Sequence, residues 1–267
     1  MLEIASNLRT LCFPPRCVNC QSEIVPSKTP KFQCRPAQLA SSYKHQRIAS
    51  LLDDHWCDPC LRNLVNRDRI TCWTCGAELN QQSPLGRKCA FCFKKSFRFT
   101  RAISLGNYQG PLQKLVIRMK NLHDEPLTIQ LGNLLAHRLF TSEFIDSIDL
   151  ITAVPTHWWR RLKRGFQAAE MLAETVARES NRQFSPDILK CQRSTKKQGT
   201  LASTSREKNV QNAFRVSRWG SLQGVNILLI DDVMTSGATV NEISRILLRA
   251  GVEKVYVGVI ARGGRVS

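Results

Sequence analysis

From residue 101 onward, short apolar runs alternate with stretches of helical period. The segment 102–108 reads as a strand. Gly110-Pro111 then opens a helix with Leu112, Leu115, Val116 and Met119 on one face. A second helix over 126–140 carries Leu127, Leu131, Leu134 and Leu135. Residues 149–154 form the next predicted strand, and helical spacing resumes through Phe166, Ala169, Leu172, Ala173 and Val176. Ile227 to Ile230 is an unbroken apolar run, the mark of a strand buried on both faces of a parallel sheet. Val240, Ile243, Ile246 and Leu247 restore the helical period, Gly251 is placed to end that helix, and 254–261 is the last strand. Strand and helix in alternation predict an α/β domain over 98–267, a parallel sheet flanked by helices.

The front end, 1–97, shows no such period and is organised by cysteine instead. Eight of the eleven cysteines form four C-x-x-C pairs: Cys17/Cys20, Cys57/Cys60, Cys72/Cys75 and Cys89/Cys92. Two thiolates at that spacing grip one tetrahedral metal from a tight knuckle, and Gly76 eases the turn after Cys75. Four pairs ahead of any βαβ pattern point to structural Zn²⁺ rather than to a redox centre or disulfides. Cys72/Cys75 with Cys89/Cys92 gives a short ribbon spacing, which leaves Cys17/Cys20 with Cys57/Cys60. The crossed arrangement, first pair with third, is the alternative. Two ribbons in series with one Zn²⁺ each are therefore predicted, both closed by four thiolates and both structural. Cys12, Cys34 and Cys191 remain as free thiols, and His45 and His55 are not needed as ligands. Residues 21–56, rich in Ser, Lys, Gln and Pro, read as a mobile insertion in the first ribbon. The run from Phe91 to Phe99 is expected to form a packing seam against the next domain.

Hydrophobic content of 42% supports a proper core. No apolar run reaches the roughly 18 residues that span a bilayer. The first fifteen residues are too polar for a secretory signal, so a cytoplasmic location without membrane insertion is expected. Net charge is +18, from 39 Lys+Arg against 21 Asp+Glu. Eight metal-bound thiolates around two Zn²⁺ would leave about +14. A surface this basic attracts polyphosphates and nucleic acid, with affinity falling steeply in salt.

The chemistry concentrates in 226–240, NILLIDDVMTSGATV. Asp231 and Asp232 stand where the apolar strand is expected to end. Thr235, Ser236, Gly237, Ala238 and Thr239 follow as a hydroxyl-rich turn before the helix. Free amides at a helix N-terminus, a glycine and three hydroxyls make a phosphate pocket. Carboxylates repel phosphate, so the Asp pair should face sugar hydroxyls or a hydrated Mg²⁺. Phosphate on one side and diol on the other describe a ribose 5-phosphate. Alone, the Asp pair could merely cap a turn; strand, pair, loop and helix in that order resemble the phosphoribosyl-pyrophosphate (PRPP) motif of type I phosphoribosyltransferases. Upstream, Val154, Pro155, Thr156 and His157 leave a strand end into a basic loop. Arg160 and Arg164, four apart, can share a helical face and grip a diphosphate.

The spacing V-P-x-H-x-x-R-x-x-x-R-G-F over 154–166 resembles the ComF family, whose members join a cysteine-rich double ribbon to a type I phosphoribosyltransferase-like domain. Tyr108, Gly110, Leu112 and Lys120 match the family's pattern, as do Arg193, Thr195, Gln198, Leu201, Arg206, Asn209 and Phe214. The chain departs from the family's R-G-F-N-Q: Gln167 keeps one amide and Ala168 replaces the other. The resemblance implies PRPP binding with Mg²⁺, with Asp231 and Asp232 as the catalytic pair. It also implies a flexible loop carrying Arg193, Lys196, Lys197, Gln198 and Arg206, and work on DNA uptake with single-stranded DNA or competence proteins as partners. No residue set marks an acceptor base. Trp158 and Trp159 read as shields for their loop. Three readings stand together: a PRPP-binding protein for DNA handling, an active nucleobase or small-molecule phosphoribosyltransferase, and a zinc-ribbon regulator that senses PRPP.

Overall fold

The structure, a computed structural model, describes residues 15–24, 52, 54–64, 70–79, 87–121, 124–157, 167–193, 203–217 and 221–264. The chain divides into two compact units, Met1–Asn66 and Arg67–Ser267. By packing, therefore, the second cysteine quartet lies within the larger unit, while the division at 97/98 separates stretches of different sequence character.

In the smaller unit, Arg16 bridges Glu23 to form the first knuckle, and helix α1, Asp58–Leu64, carries Cys60. Leu52, Trp56, Leu61 and Leu64 are buried, and the Val18 amide donates to the His55 carbonyl. A unit this small has little core of its own, so the cysteine quartet is its main staple.

The larger unit opens with the second knuckle, closed by a Thr71–Glu78 bridge, and helix α2, Ala90–Lys94. The elements that follow are β1, Arg101–Asn107; α3, Gly110–Arg118; α4, Glu125–Phe140; and β2, Leu150–Ala153. After them come α5, Ala168–Ser180; β3, Gln183–Phe184; β4, Leu189–Cys191; and α6, Ser203–Val210. The unit ends with β5, Phe214–Val216; β6, Asn226–Met234; α7, Ala238–Arg249; and β7, Lys254–Arg262. Five strands form one parallel sheet in the order β1-β7-β6-β2-β3. Strand β6 is central, which explains its continuous apolar run. Ile227 and Leu229 share a core with Ile243 and Leu247 of α7. On the other face Ile230, with Leu135 and Leu139 of α4, closes over Gly258, where a Cβ would come within 2.8 Å of Ile230. Leu127, Leu131, Leu134, Leu135 and Leu139 are at most 1% exposed. Each such burial stabilises by roughly 1.5–3 kcal/mol, well above any helix-propensity difference, so packing fixes α4.

Two features differ from the sequence expectation. Strand β6 does not end at Ile230: its ladder with β7 continues through Asp231–Val259, Val233–Ala261 and Met234–Arg262. Backbone pairing to an equally long neighbour carries the strand past the point where its side chains turn polar. The second is an antiparallel hairpin, β4 with β5, and the helix α6 between them, where a loop was expected.

Candidate phosphate site and metal centres

The cysteines assemble as two quartets, Cys17/Cys20/Cys57/Cys60 and Cys72/Cys75/Cys89/Cys92, with ligand atoms within 4.8 Å of one another in each. A tetrahedral zinc with Zn–S near 2.3 Å requires sulfurs about 3.8 Å apart. Cys20–Cys57 at 3.5 Å and Cys75–Cys89 at 3.7 Å fit that edge. Donors point at the sulfurs: Asn19 Nδ2 to Cys60 Sγ at 3.2 Å and the Cys89 amide to Cys72 Sγ at 3.3 Å. The Ser22 hydroxyl and amide hold Cys20 down to about 6, whereas burial pushes Cys60 up to about 12. Cys72 pushes Cys75 up to about 11. Thiols this crowded cannot all ionise at neutral pH without a cation among them, and a zinc ion supplies it. Both quartets are consistent with structural Zn²⁺ sites, in the uncrossed pairing.

The second quartet is built into the α/β core with Phe99, Met234, Ala238 and Val257. Its knuckle is clamped on β1: the Ala102 amide donates to Thr74 O at 2.8 Å and Ser104 Oγ to Gly76 O at 2.7 Å. Gly76 has φ +67, and a Cβ there would meet Ala102 O at 3.0 Å. From the last ligand the chain runs through Phe97, stacked on Phe99 with ring centroids 4.6 Å apart. The seam expected from the Phe run exists for Phe91, Phe97 and Phe99, while Phe93 points out at 66% exposure.

Phe97 leads to the turn between β6 and α7. Gly237 there has φ +75, and a Cβ would lie 2.9 Å from the Phe97 ring. The Arg98 amide donates to Asn241 Oδ1 at 2.7 Å. Thr235, Ser236 and Gly237 thus form a compact bend opening on the first turn of α7, which carries Ala238 and Thr239, with Ser236 Oγ accepting from the Ala238 amide at 3.4 Å. Arg262, ending β7 at 4% exposure, holds the bend from beneath. Its Nη1 donates to the carbonyls of Met234, at 2.9 Å, Thr235 and Gly263.

Asp231 and Asp232 are half-buried at the C-terminal end of β6. Each carboxylate accepts from the next amide, Asp232 N at 2.8 Å and Val233 N at 2.7 Å. Lys120, just past α3, pairs with Asp232 at 2.7 Å. Burial pushes Asp231 well above the usual carboxylate range, helped by the charge of Asp232. Burial acts on Asp232 in the same sense, but the Lys120 ammonium and the hydrogen bonds outweigh it and hold Asp232 low. The two carboxyls are thereby pushed apart, and Lys120 makes Asp232 the one that ionises first.

The loop after β2 begins beside the acids, because the Val154 amide donates to Ile230 O at 2.8 Å. Gln167 then braces it with both ends of its amide: Nε2 donates to Val154 O at 2.8 Å and Oε1 accepts from the Thr156 amide at 3.2 Å. Val154, Pro155, Thr156 and His157 are thereby brought to the edge that holds the Asp pair. A cavity of about 460 Å³ adjoins this loop, lined among others by Pro155, Thr156, Gln167, Glu170, Lys190 and Arg215. Arg193 donates to the carbonyls of Asn209 and Gln211, both at 3.1 Å, and so closes the base of its excursion. Arg160, Arg164, Trp158, Trp159, Lys196, Lys197 and Gln198 lie outside the described residues, as do Cys12, Cys34, His45 and most of 21–56; Arg206 lies in α6 with its side chain undescribed. Sequence reasoning missed Arg262, whose one signal is a cation closing the apolar run VYVGVIA, and saw Lys120 and Gln167 without their roles.

Residues 162–265 match the model of the phosphoribosyl transferase domain. The "DNA utilization protein YhgH" of Salmonella typhi is 30% identical over 214 residues, covering 78% of this chain and 91% of the relative. The chain belongs to the ComF/competence-protein family. Another ComF relative, "Competence protein F" of Haemophilus influenzae, is 29% identical over 72% of this chain and 84% of its own. "Competence protein ComFC" of Bacillus subtilis is 32% identical over 42% of this chain and 43% of its own. The ComF arrangement of cysteine-rich front end and phosphoribosyltransferase-like α/β fold is the one seen here. Among the described residues no helix is long and apolar enough to cross a membrane.

Proposed function

We propose that this chain binds PRPP and serves DNA uptake or nucleic-acid handling in the cytoplasm, with residues 1–97 as its double-ribbon region and 98–267 as its phosphoribosyltransferase-like domain. One observation carries the reading. A Lys120-tuned Asp231–Asp232 pair adjoins a three-residue bend at the N-terminus of a twelve-residue helix, on the edge from which Val154–His157 emerge. Thr235–Thr239 would take the 5-phosphate on amides and hydroxyls, and Asp231 and Asp232 the ribose hydroxyls. Val154–His157, with Arg160 and Arg164, would face the pyrophosphate, and the excursion carrying Arg193, Lys196, Lys197 and Gln198, with Arg206 on helix α6, would close over it. Mg²⁺ held through water by the acid pair would neutralise diphosphate charge. The names of the relatives, a DNA utilization protein and two competence proteins, together with the charge of +18, support a nucleic-acid or competence-protein partner.

The cavity beside the pyrophosphate loop supports a second reading, a transferase that seats an acceptor base there. Titration calorimetry with PRPP and Mg²⁺ tests the first: Asp231→Asn/Asp232→Asn should weaken binding at least tenfold, and unchanged affinity removes the assignment. Pyrophosphate release from PRPP in the presence of a panel of bases would select the transferase.

A further inference from the structure

Three of the four large hydrophobic side chains exposed among the described residues belong to the second ribbon: Ile70 at 43%, Trp73 at 37% and Phe93 at 66%. The ribbon has an interior for rings, since Phe91, Phe97 and Phe99 pack together, so these three are outside by placement rather than for want of a core. Cations interleave with them. Arg87, Lys88 and Lys94 are exposed and form no ion pair among the described residues. The Trp73 amide donates to Arg87 O at 2.7 Å, and the guanidinium carbons of Arg87 and Arg101 stand 5.1 and 3.6 Å from the Trp73 ring. Lys88 and Cys89 follow Arg87 directly. Phe93 lies one helical turn beyond Cys89, its amide donating to the Cys89 carbonyl at 3.0 Å.

Cations alone would suit any polyanion. Exposed rings among unpaired cations select a polyanion with free flat faces, and unpaired bases supply them; a duplex keeps its faces stacked inside, and an acidic protein surface offers none. We propose that the outer surface of the second ribbon holds single-stranded nucleic acid, with bases against Phe93 and Trp73 and phosphates on Arg87, Lys88 and Lys94. The proposal rests on the nucleic-acid part of the function proposed above and is independent of PRPP.

The test is fluorescence anisotropy of a labelled single-stranded oligonucleotide with the full, zinc-loaded chain across a salt series. Phe93→Ala should weaken binding by about tenfold, the loss of one stacked base, and Phe93→Tyr should restore it. Lys88→Gln/Lys94→Gln should flatten the slope of log affinity against log salt by about 1.4, two phosphate contacts at about 0.7 each. Zinc content and melting temperature should stay at the parent values, because these side chains lie outside the core. A parent chain that binds oligonucleotide while all variants bind equally well overturns the surface and leaves the nucleic-acid reading standing. A parent chain that binds none overturns both. Polyglutamate of equal length competing as well as the oligonucleotide would also overturn the proposal, since rings would then have no part.

Discussion

Arg262→Met isolates what the buried arginine does for the phosphate bend. In the parent, Nη1 serves the carbonyls of Met234, Thr235 and Gly263, where the bend leaves β6 and the chain leaves β7. Methionine fills much of the volume but donates nothing. Each buried acceptor left unmade costs about 1–3 kcal/mol, less wherever water enters. The Met234 carbonyl keeps the Gly263 amide at 2.9 Å, so two acceptors are at stake; at the low end, and offset in part by removing the arginine's own desolvation, they give a net loss of about 1.5 kcal/mol. For a unit of this size that lowers the melting temperature by about 3–6 °C. The damage should also be local: amide hydrogen exchange over 234–241 should accelerate more than in α4. Arg262→Lys keeps three donors on one centre and should recover about half of the loss. The assay is thermal unfolding by near-UV circular dichroism of the zinc-loaded chain, paired with the exchange measurement. A melting temperature within about 2 °C of the parent, with unchanged exchange over the bend, would refute the bracing role.

Gly237→Ala adds a Cβ 2.9 Å from the Phe97 ring at a φ of +75, so PRPP affinity should fall tenfold or more with zinc content intact. The Phe97→Leu/Gly237→Ala double variant should recover part of it, with a coupling above about 0.5 kcal/mol by double-mutant cycle. The acid pair makes a pH signature. Asp231 is raised, so its contribution to stability is present below the ordinary carboxylate value and is lost as pH rises through its folded value. Asp232 is lowered, so its contribution is present above that value and is lost as pH falls through its folded value. Mg²⁺-dependent PRPP binding should therefore strengthen as pH rises through an inflection above the usual carboxylate range. Lys120→Met should move that inflection upward, and calorimetry at stepped pH showing no movement would count against the pairing. Metal removal should discriminate the quartets. Cys75→Ser should lower the melting temperature of the sheet, whose core its quartet shares, whereas Cys20→Ser should loosen the smaller unit and leave the sheet transition in place; equal effects on the sheet would contradict this placement.

What could be read in the chain beforehand depends on whether the determinant is a side chain or a backbone group. The uncrossed cysteine pairing was legible because a C-x-x-C knuckle is set within four residues, and the second quartet closes over a short span. Strand β6 was legible in Ile227 to Ile230, because burial on both faces leaves no polar position. Its true end was not, since the ladder to Ala261 and Arg262 is made by amides and carbonyls that every residue carries. The β4–β5 hairpin was missed for a related reason: its buried positions are Leu189 and Phe214, twenty-five residues apart in a polar stretch, too few to make a period. Gln167 shows the same limit from the functional side. In sequence it is the one amide kept from the family's R-G-F-N-Q pattern, and in the fold both its ends are spent on the backbone of Val154 and Thr156. Arg262 drew no reading from the sequence, and in the fold it is consumed by the carbonyls of Met234, Thr235 and Gly263. In this chain the ligand-facing groups, Asp231, Asp232 and the hydroxyls of the bend, announce themselves. The residues that shape the bend and the loop act through backbone atoms, and those have no letter in the sequence.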